Sequence, residues 1–141
     1  MKKKLLLGAM ALLSMFTMSL TSCSDDNEST TNGNIVFEDV EIGHDNSKLG
    51  KIGHDIHLEC KIKSSSKIKA ITVSLINDAN NKVEKAYNSS KYVGVLNTTF
   101  HEHLDLPSTL AEGDYTCTIT VTNAEGSVKS VNSKVTLKKV V

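Results

Sequence analysis

Tryptophan is absent and aromatic residues make up only 4% of the 141-residue chain, so any core must be filled mainly by aliphatic side chains. Arginine is absent too. Every basic residue is lysine, which leaves no planar fork to grip phosphate or carboxylate at two points. With a single proline, turns fall to Asn, Asp, Ser and Gly, which reach turn conformations through positive φ or local hydrogen bonds. No Ser-His-Asp order, phosphate-binding glycine loop or His-Glu-x-x-His occurs. Nucleophilic catalysis therefore has no candidate residue, and an enzyme is not expected.

What is present begins with MKKKLLLGAMALLSMFTMSLTSC. Three lysines and then an apolar run from Leu5 to Leu20 have the order of a secretory signal, and its 16 residues fall short of the about 20 that a membrane span needs. Leu20, Thr21, Ser22 and Cys23 resemble a bacterial lipobox. The resemblance implies that residues 1–22 are cleaved off, that Cys23 carries lipid, and that this lipid anchors the protein in the outer membrane. An ordinary signal peptide or signal anchor is the alternative.

Residues 23–33 lack any large apolar side chain, cannot bury enough surface to offset their ordering entropy, and are expected to form a flexible tether. Their acidic SDDNE resembles the export signal of Bacteroidota surface lipoproteins, which implies a cell-surface location, although short acidic runs also occur in solvated linkers. Loss of Lys2, Lys3 and Lys4 with the signal leaves 13 lysines against 16 acidic residues, a net charge of −3. That balance excludes a basic footprint for nucleic acid. Residues 34–141 number 108, enough for one domain with its own core.

Along this domain apolar and polar residues alternate, and no helical stripe of useful length appears. Candidate strands are Ile35–Ile42, Asp55–Lys63, Ile68–Ile76, Lys82–Tyr87, Leu96–Leu106, Tyr115–Thr122 and Ser127–Leu137. Seven short antiparallel strands predict an all-β sandwich.

The segment LAEGDYTCTITVTNAEG, residues 110–126, resembles the F strand of immunoglobulin-like domains. In that family a tyrosine two residues before the second cysteine forms the tyrosine corner, and Tyr115 and Cys117 have this spacing. Parity agrees: Tyr115, Cys117, Ile119 and Val121 share one face, and Ile56, Leu58, Cys60 and Ile62 share another. Two inward cysteines on the B and F strands of an exported sandwich read as an inter-sheet disulfide between Cys60 and Cys117, closing a loop of 57 residues. A pair of buried free thiols is the alternative. With no tryptophan to cover the bridge, Ile71, Val73 and Leu75 are expected to fill that space.

The immunoglobulin strand order A-B-E-D makes Asp55–Lys63 and Leu96–Leu106 neighbours. In FHEHLDLP, residues 100–107, Phe100, Leu104 and Leu106 take the inner face, so His101, His103 and Asp105 face out. His57 faces out by the same parity. Alternate residues of a strand lie about 7 Å apart and opposed pairs about 5 Å, so three imidazoles can reach one ion. Such a site suits Zn(II) or Cu(II). It is similar to the sheet site of the carbonic anhydrases, where a His-x-His strand and its neighbour supply ligands.

Asp105 is expected to support His103 as a hydrogen-bond acceptor. Glu102 is sent inward beside Phe100 and Leu104, where a carboxylate is costly, unless a bulge near 101–102 rescues it and breaks the ligand geometry. A solvated strand face with no ligand is the other reading of these histidines. His44 and His54 belong to two Gly-His-Asp turns, IGHDN at 42–46 and IGHDI at 52–56, in which glycine supplies positive φ and aspartate bonds nearby amides.

HDIHLEC (54–60), FHEHLDLP (100–107) and GDY (113–115) together resemble a Bacteroidota lipoprotein family, domain of unknown function 4625. The resemblance implies an immunoglobulin-like fold without an assigned activity and carries His57, His101 and His103 onto matching positions. In the family pattern a histidine commonly follows the tyrosine, where this chain has Thr116. Two functions follow as expectations. The first is a non-enzymatic surface lipoprotein whose sandwich binds a protein or glycan partner. The second is a metal-binding lipoprotein using the three histidines, with a metal-dependent hydrolase a distant third.

Overall fold

Alternating side chains draw the chain into eight strands: β1 (Ile35–Ile42), β2 (Leu49–Ile52), β3 (Asp55–Ser64), β4 (Ile68–Ile76), β5 (Lys82–Tyr87), β6 (Asn97–Asp105), β7 (Gly113–Asn123) and β8 (Val128–Lys139). A computed structural model describes residues 34–140; the segments 1–22 and 23–33, with Cys23, lie outside the described residues. The strands form a three-stranded sheet in the order β1-β3-β6 and a five-stranded sheet in the order β2-β8-β7-β4-β5. The fold is the expected all-β sandwich.

All seven expected strands form, three with the expected bounds and four with ends shifted by one or two residues. The eighth, β2, is four residues long and pairs in parallel with β8, Leu49 to Thr136 through Ile52 to Lys139. Such a short segment carries too little alternation to read in isolation. Its register depends on Gly50, where an added Cβ would lie 2.7 Å from the Leu137 side chain, 3.0 Å from Leu106 and 3.2 Å from Ile56.

β5 turns back on β4 through Asn77, whose side-chain oxygen accepts from the amides of Ala79 (3.1 Å) and Asn81 (2.8 Å). This Asx turn makes a hairpin and places β5 in the larger sheet. β6 is consequently an edge strand, and the fourth strand of the A-B-E-D order is absent among the described residues.

The core lies between the sheets. Leu58, Cys60, Ile62 and Phe100 meet Ile71, Val73, Leu75, Tyr115, Cys117, Ile119 and Val121, all essentially inaccessible to solvent. Ile71, Val73 and Leu75 are fully buried on β4. Tyr87 and Tyr92 add rings, each with its centroid 5.1 Å from Phe100. The tyrosine corner is present: the Tyr115 hydroxyl donates to the Ala111 carbonyl at 2.8 Å.

One expectation is corrected. Cys60 and Cys117 face inward, but they are free thiols and not a bridge. Cys60 lies opposite Phe100 in the β3–β6 ladder and Cys117 opposite Leu75 in the β4–β7 ladder. Each sulfur packs as a small apolar group. Burial pushes both thiols up to about 12, with the Glu59 charge adding to the effect at Cys60.

Candidate metal centre

The β3–β6 ladder runs without a break from Asp55 opposite Asp105 to Lys63 opposite Asn97. An unbroken ladder preserves parity, so alternate residues of both strands stay on one face. His57 lies opposite His103, and His101 lies opposite Glu59, one step along the same face. The ring centroids stand 4.9 Å apart for His57 and His101, 5.2 Å for His57 and His103, and 5.8 Å for His101 and His103. One ligand nitrogen from each ring lies within 4.8 Å of the other two. Three atoms that close share a centre under about 3 Å from each, so modest side-chain rotation reaches metal–nitrogen bonds of about 2.0 Å.

The three rings differ in setting. His57, on the middle strand, has a side chain only 14% exposed, whereas His103 on the edge strand is 54% exposed. Beside His57 lie two carboxylates, with its Nε2 3.6 Å from Glu41 Oε1 and 3.5 Å from Glu59 Oε1. These three residues form a second group with converging ligand atoms. Glu59 was accessible to parity, since it alternates with the inward Leu58 and Cys60.

Glu41 was not, because β1 carries a bulge. Its pairing with β3 slips between Glu38, opposite Lys61, and Glu41, opposite Glu59. Asp39 adopts φ 51° within it. One extra residue reverses the parity of the strand, so Ile35 and Ile42 are both buried and Glu41 comes to the histidine face. The only local signal is the apolar pattern changing from odd to even positions across Asp39, a residue type that tolerates positive φ.

On the opposite side of β6, Glu102 points inward as strict alternation requires, and no bulge relieves it. A loop residue that the sequence reading missed accounts for this. The Tyr92 hydroxyl lies 2.6 Å from Glu102 Oε2 and 3.0 Å from the His101 carbonyl, and it accepts from the His101 amide at 3.4 Å. Lys91 Nζ lies 3.7 Å from the same carboxylate oxygen. Tyr92 thus caps the open edge of β6 at His101 and gives the carboxylate a donor and a cation. Burial, reinforced by the hydrogen bond to Glu102, raises the Tyr92 phenol above its ordinary range.

The carboxylate beside His103 is also reassigned. His103 Nδ1 lies 3.5 Å from Asp55 Oδ2, on the neighbouring strand. Asp105, the expected acceptor, forms no such pair among the described residues; it sits opposite Asp55 in the ladder.

Of the turn histidines, His44 is exposed and pairs with Asp45 at 3.4 Å, and His54 is exposed in the β2–β3 turn. Neither joins the ligand set. Gly43 and Gly53 do supply positive φ, at 82° and 87°. The amide of Ile42, however, donates to Asn46 Oδ1 at 3.0 Å, so Asn46 and not Asp45 bonds the turn. Thr116 is on β7, in the opposite sheet, so a histidine there would not meet the three on β3 and β6.

With this geometry in hand, the comparisons with known proteins are informative chiefly about family. The sequence model of the family described as domain of unknown function (DUF4625) matches residues 21–138. The chain belongs to this family. No curated protein matches the DUF4625 chain by sequence. Its fold is similar to part of the catalytically inactive OgpA from Akkermansia muciniphila, solved with an O-glycopeptide substrate, at TM-score 0.57 and 15% identity. The match covers 75% of this chain but 29% of that one. CopC from Methylosinus trichosporium OB3b matches at TM-score 0.43 and 15% identity, over 72% of this chain and 96% of CopC. Spo0M from Bacillus subtilis matches at TM-score 0.47 and 12% identity, over 77% and 50% of the two chains. At 15% identity the likeness to OgpA describes the fold alone.

Proposed function

We propose that the protein is a lipid-anchored domain of the cell envelope that binds a divalent transition-metal ion, Zn(II) or Cu(II), through His57, His101 and His103. One observation carries this reading: three imidazoles on two paired strands present ligand nitrogens within 4.8 Å of one another. Neutral imidazoles suit both ions, and a rigid ladder supplies them with little ordering cost. The Glu41 and Glu59 carboxylates beside His57 offset the charge of the ion.

The anchor rests on the lipobox at Cys23, and the surface location on the acidic run that follows it. The role is one of binding and not of catalysis, because the face is open and would not exclude water as metal-assisted hydrolysis wants. Recognition of a protein or glycan partner rests on address and fold alone, so the site geometry favours metal binding over it.

Isothermal titration of the purified protein with Zn(II) and Cu(II) tests the proposal. One ion should bind per chain with micromolar or tighter affinity, and His101→Ala and His103→Ala should each weaken binding by about tenfold or more. Binding no tighter than millimolar, or indifferent to both substitutions, rejects it.

A further inference from the structure

The three-histidine face does not end at the imidazoles. A cleft of about 180 Å³ adjoins it, lined by His44, Leu49, Lys51, Asp55, His57 and His103. Two of the three metal-binding residues therefore belong to its wall. The opposite wall comes from the turn at 44–46 and from β2, which the Gly50 contacts hold against Leu137, Leu106 and Ile56. A packed strand thus carries Lys51, and among the described residues this lysine forms no ion pair or side-chain hydrogen bond.

The charges of the cleft decide what it can take. Without metal, the Lys51 ammonium and the Asp55 carboxylate cancel. Glu41 and Glu59 beside His57 leave the metal-free face negative; a divalent ion on the histidines neutralises them, and three ligands leave the ion an open position. Leu49, 53% exposed, adds an apolar side chain to the lining. A cleft of this size admits a compact organic anion. A single ammonium and a single metal position match a carboxylate better than a phosphate, for which the chain has no arginine fork.

We propose that this cleft, resting on the metal site above, seats a small organic carboxylate as co-ligand, with one oxygen on the metal and a second anionic oxygen on Lys51. The bound ion then carries the carboxylate as its co-ligand. Binding is ordered by charge: the anion is held only when the metal is present.

The test uses Cu(II)-loaded protein and malonate as the probe, with acetate and glycine as smaller comparisons. Adding malonate should shift the copper d–d absorption saturably, with copper remaining on the protein after desalting. Lys51→Ala should weaken the malonate response about tenfold while changing Cu(II) affinity less than twofold. Lys61→Ala, on β3 but paired with Asp39 at 3.2 Å, should change neither. Metal-free protein should bind no malonate.

If Cu(II) binds through the histidines but none of the three anions shifts its spectrum, the co-ligand proposal fails while the metal site stands. A shift that survives Lys51→Ala, or copper carried off by the anion, defeats it as well. Failure of Cu(II) to bind in the absence of any anion removes the metal site, and the co-ligand proposal with it.

Discussion

His57 and His103 face each other directly across the β3–β6 ladder, their ring centroids 5.2 Å apart. The pairing makes His57, the least exposed of the trio, the hinge of the site. It contacts both rings of β6 and the carboxylates of Glu41 on β1 and Glu59 on its own strand. His57→Ala should therefore reduce Zn(II) or Cu(II) affinity more than His101→Ala or His103→Ala does, by about a hundredfold. Titrations of the three variants check the ranking, and a loss at His57 smaller than at either partner contradicts it.

Tyr92 braces the edge strand from below. Removing its hydroxyl leaves Glu102 with only Lys91 and strips the outward backbone groups of His101 of their partner. Tyr92→Phe should lose about 1–3 kcal/mol in chemical denaturation. It should also speed hydrogen exchange at the His101 amide while leaving the five-stranded sheet protected. An exchange rate at His101 equal to wild type would show that the clasp does not hold the edge.

The two buried thiols predict an alkaline weakness. Folding raises Cys60 and Cys117 from 9.0 to about 12, and burial likewise raises Tyr87 from 10.0 to about 12. Above pH 9 the unfolded chain gives up thiol protons that the fold retains, so this stability is full below that pH and is lost as pH climbs through 12. The slope is about 1.4 kcal/mol per pH unit for each thiol. Urea midpoints at about pH 8 and about pH 10 should fall accordingly. A thiol reagent should find Cys60 and Cys117 only after denaturation, and finding neither would establish a bridge.

Gly50 separates close packing from backbone strain. Gly50→Ala places a methyl group 2.7 Å from Leu137 and should cost about 1–3 kcal/mol by overpacking. Gly94→Ala meets nothing within 4 Å, but the residue sits at φ +89° and should cost about 1 kcal/mol from conformation alone. Thermal melts compare the two, and equal losses would mean that contact at β2 is not the governing factor.

Much of the site was legible because strand parity is a local property. Phe100, Leu104 and Leu106 on one strand and Ile56, Leu58 and Cys60 on the other set the inner face, with Glu102 the exception, so the faces of His57, His101 and His103 follow from the period of two. The tyrosine corner likewise needs only the spacing of Tyr115 and Cys117, and its hydrogen bond to Ala111 spans four residues.

Interactions made between distant segments required tertiary structure. The bulge at Asp39 turns Glu41 outward, and its register exists only relative to β3. Tyr92, in a loop, reaches Glu102 through space, and Asp55 rather than Asp105 approaches His103 across the β3–β6 pairing. Lys51 enters the picture only because β2 pairs with β8, far away in the chain. Sequence alone determined which side chains share a face, since that depends on backbone geometry within a strand. Only the tertiary structure decided which faces, loops and strands meet, because those contacts depend on packing between segments that local alternation does not encode.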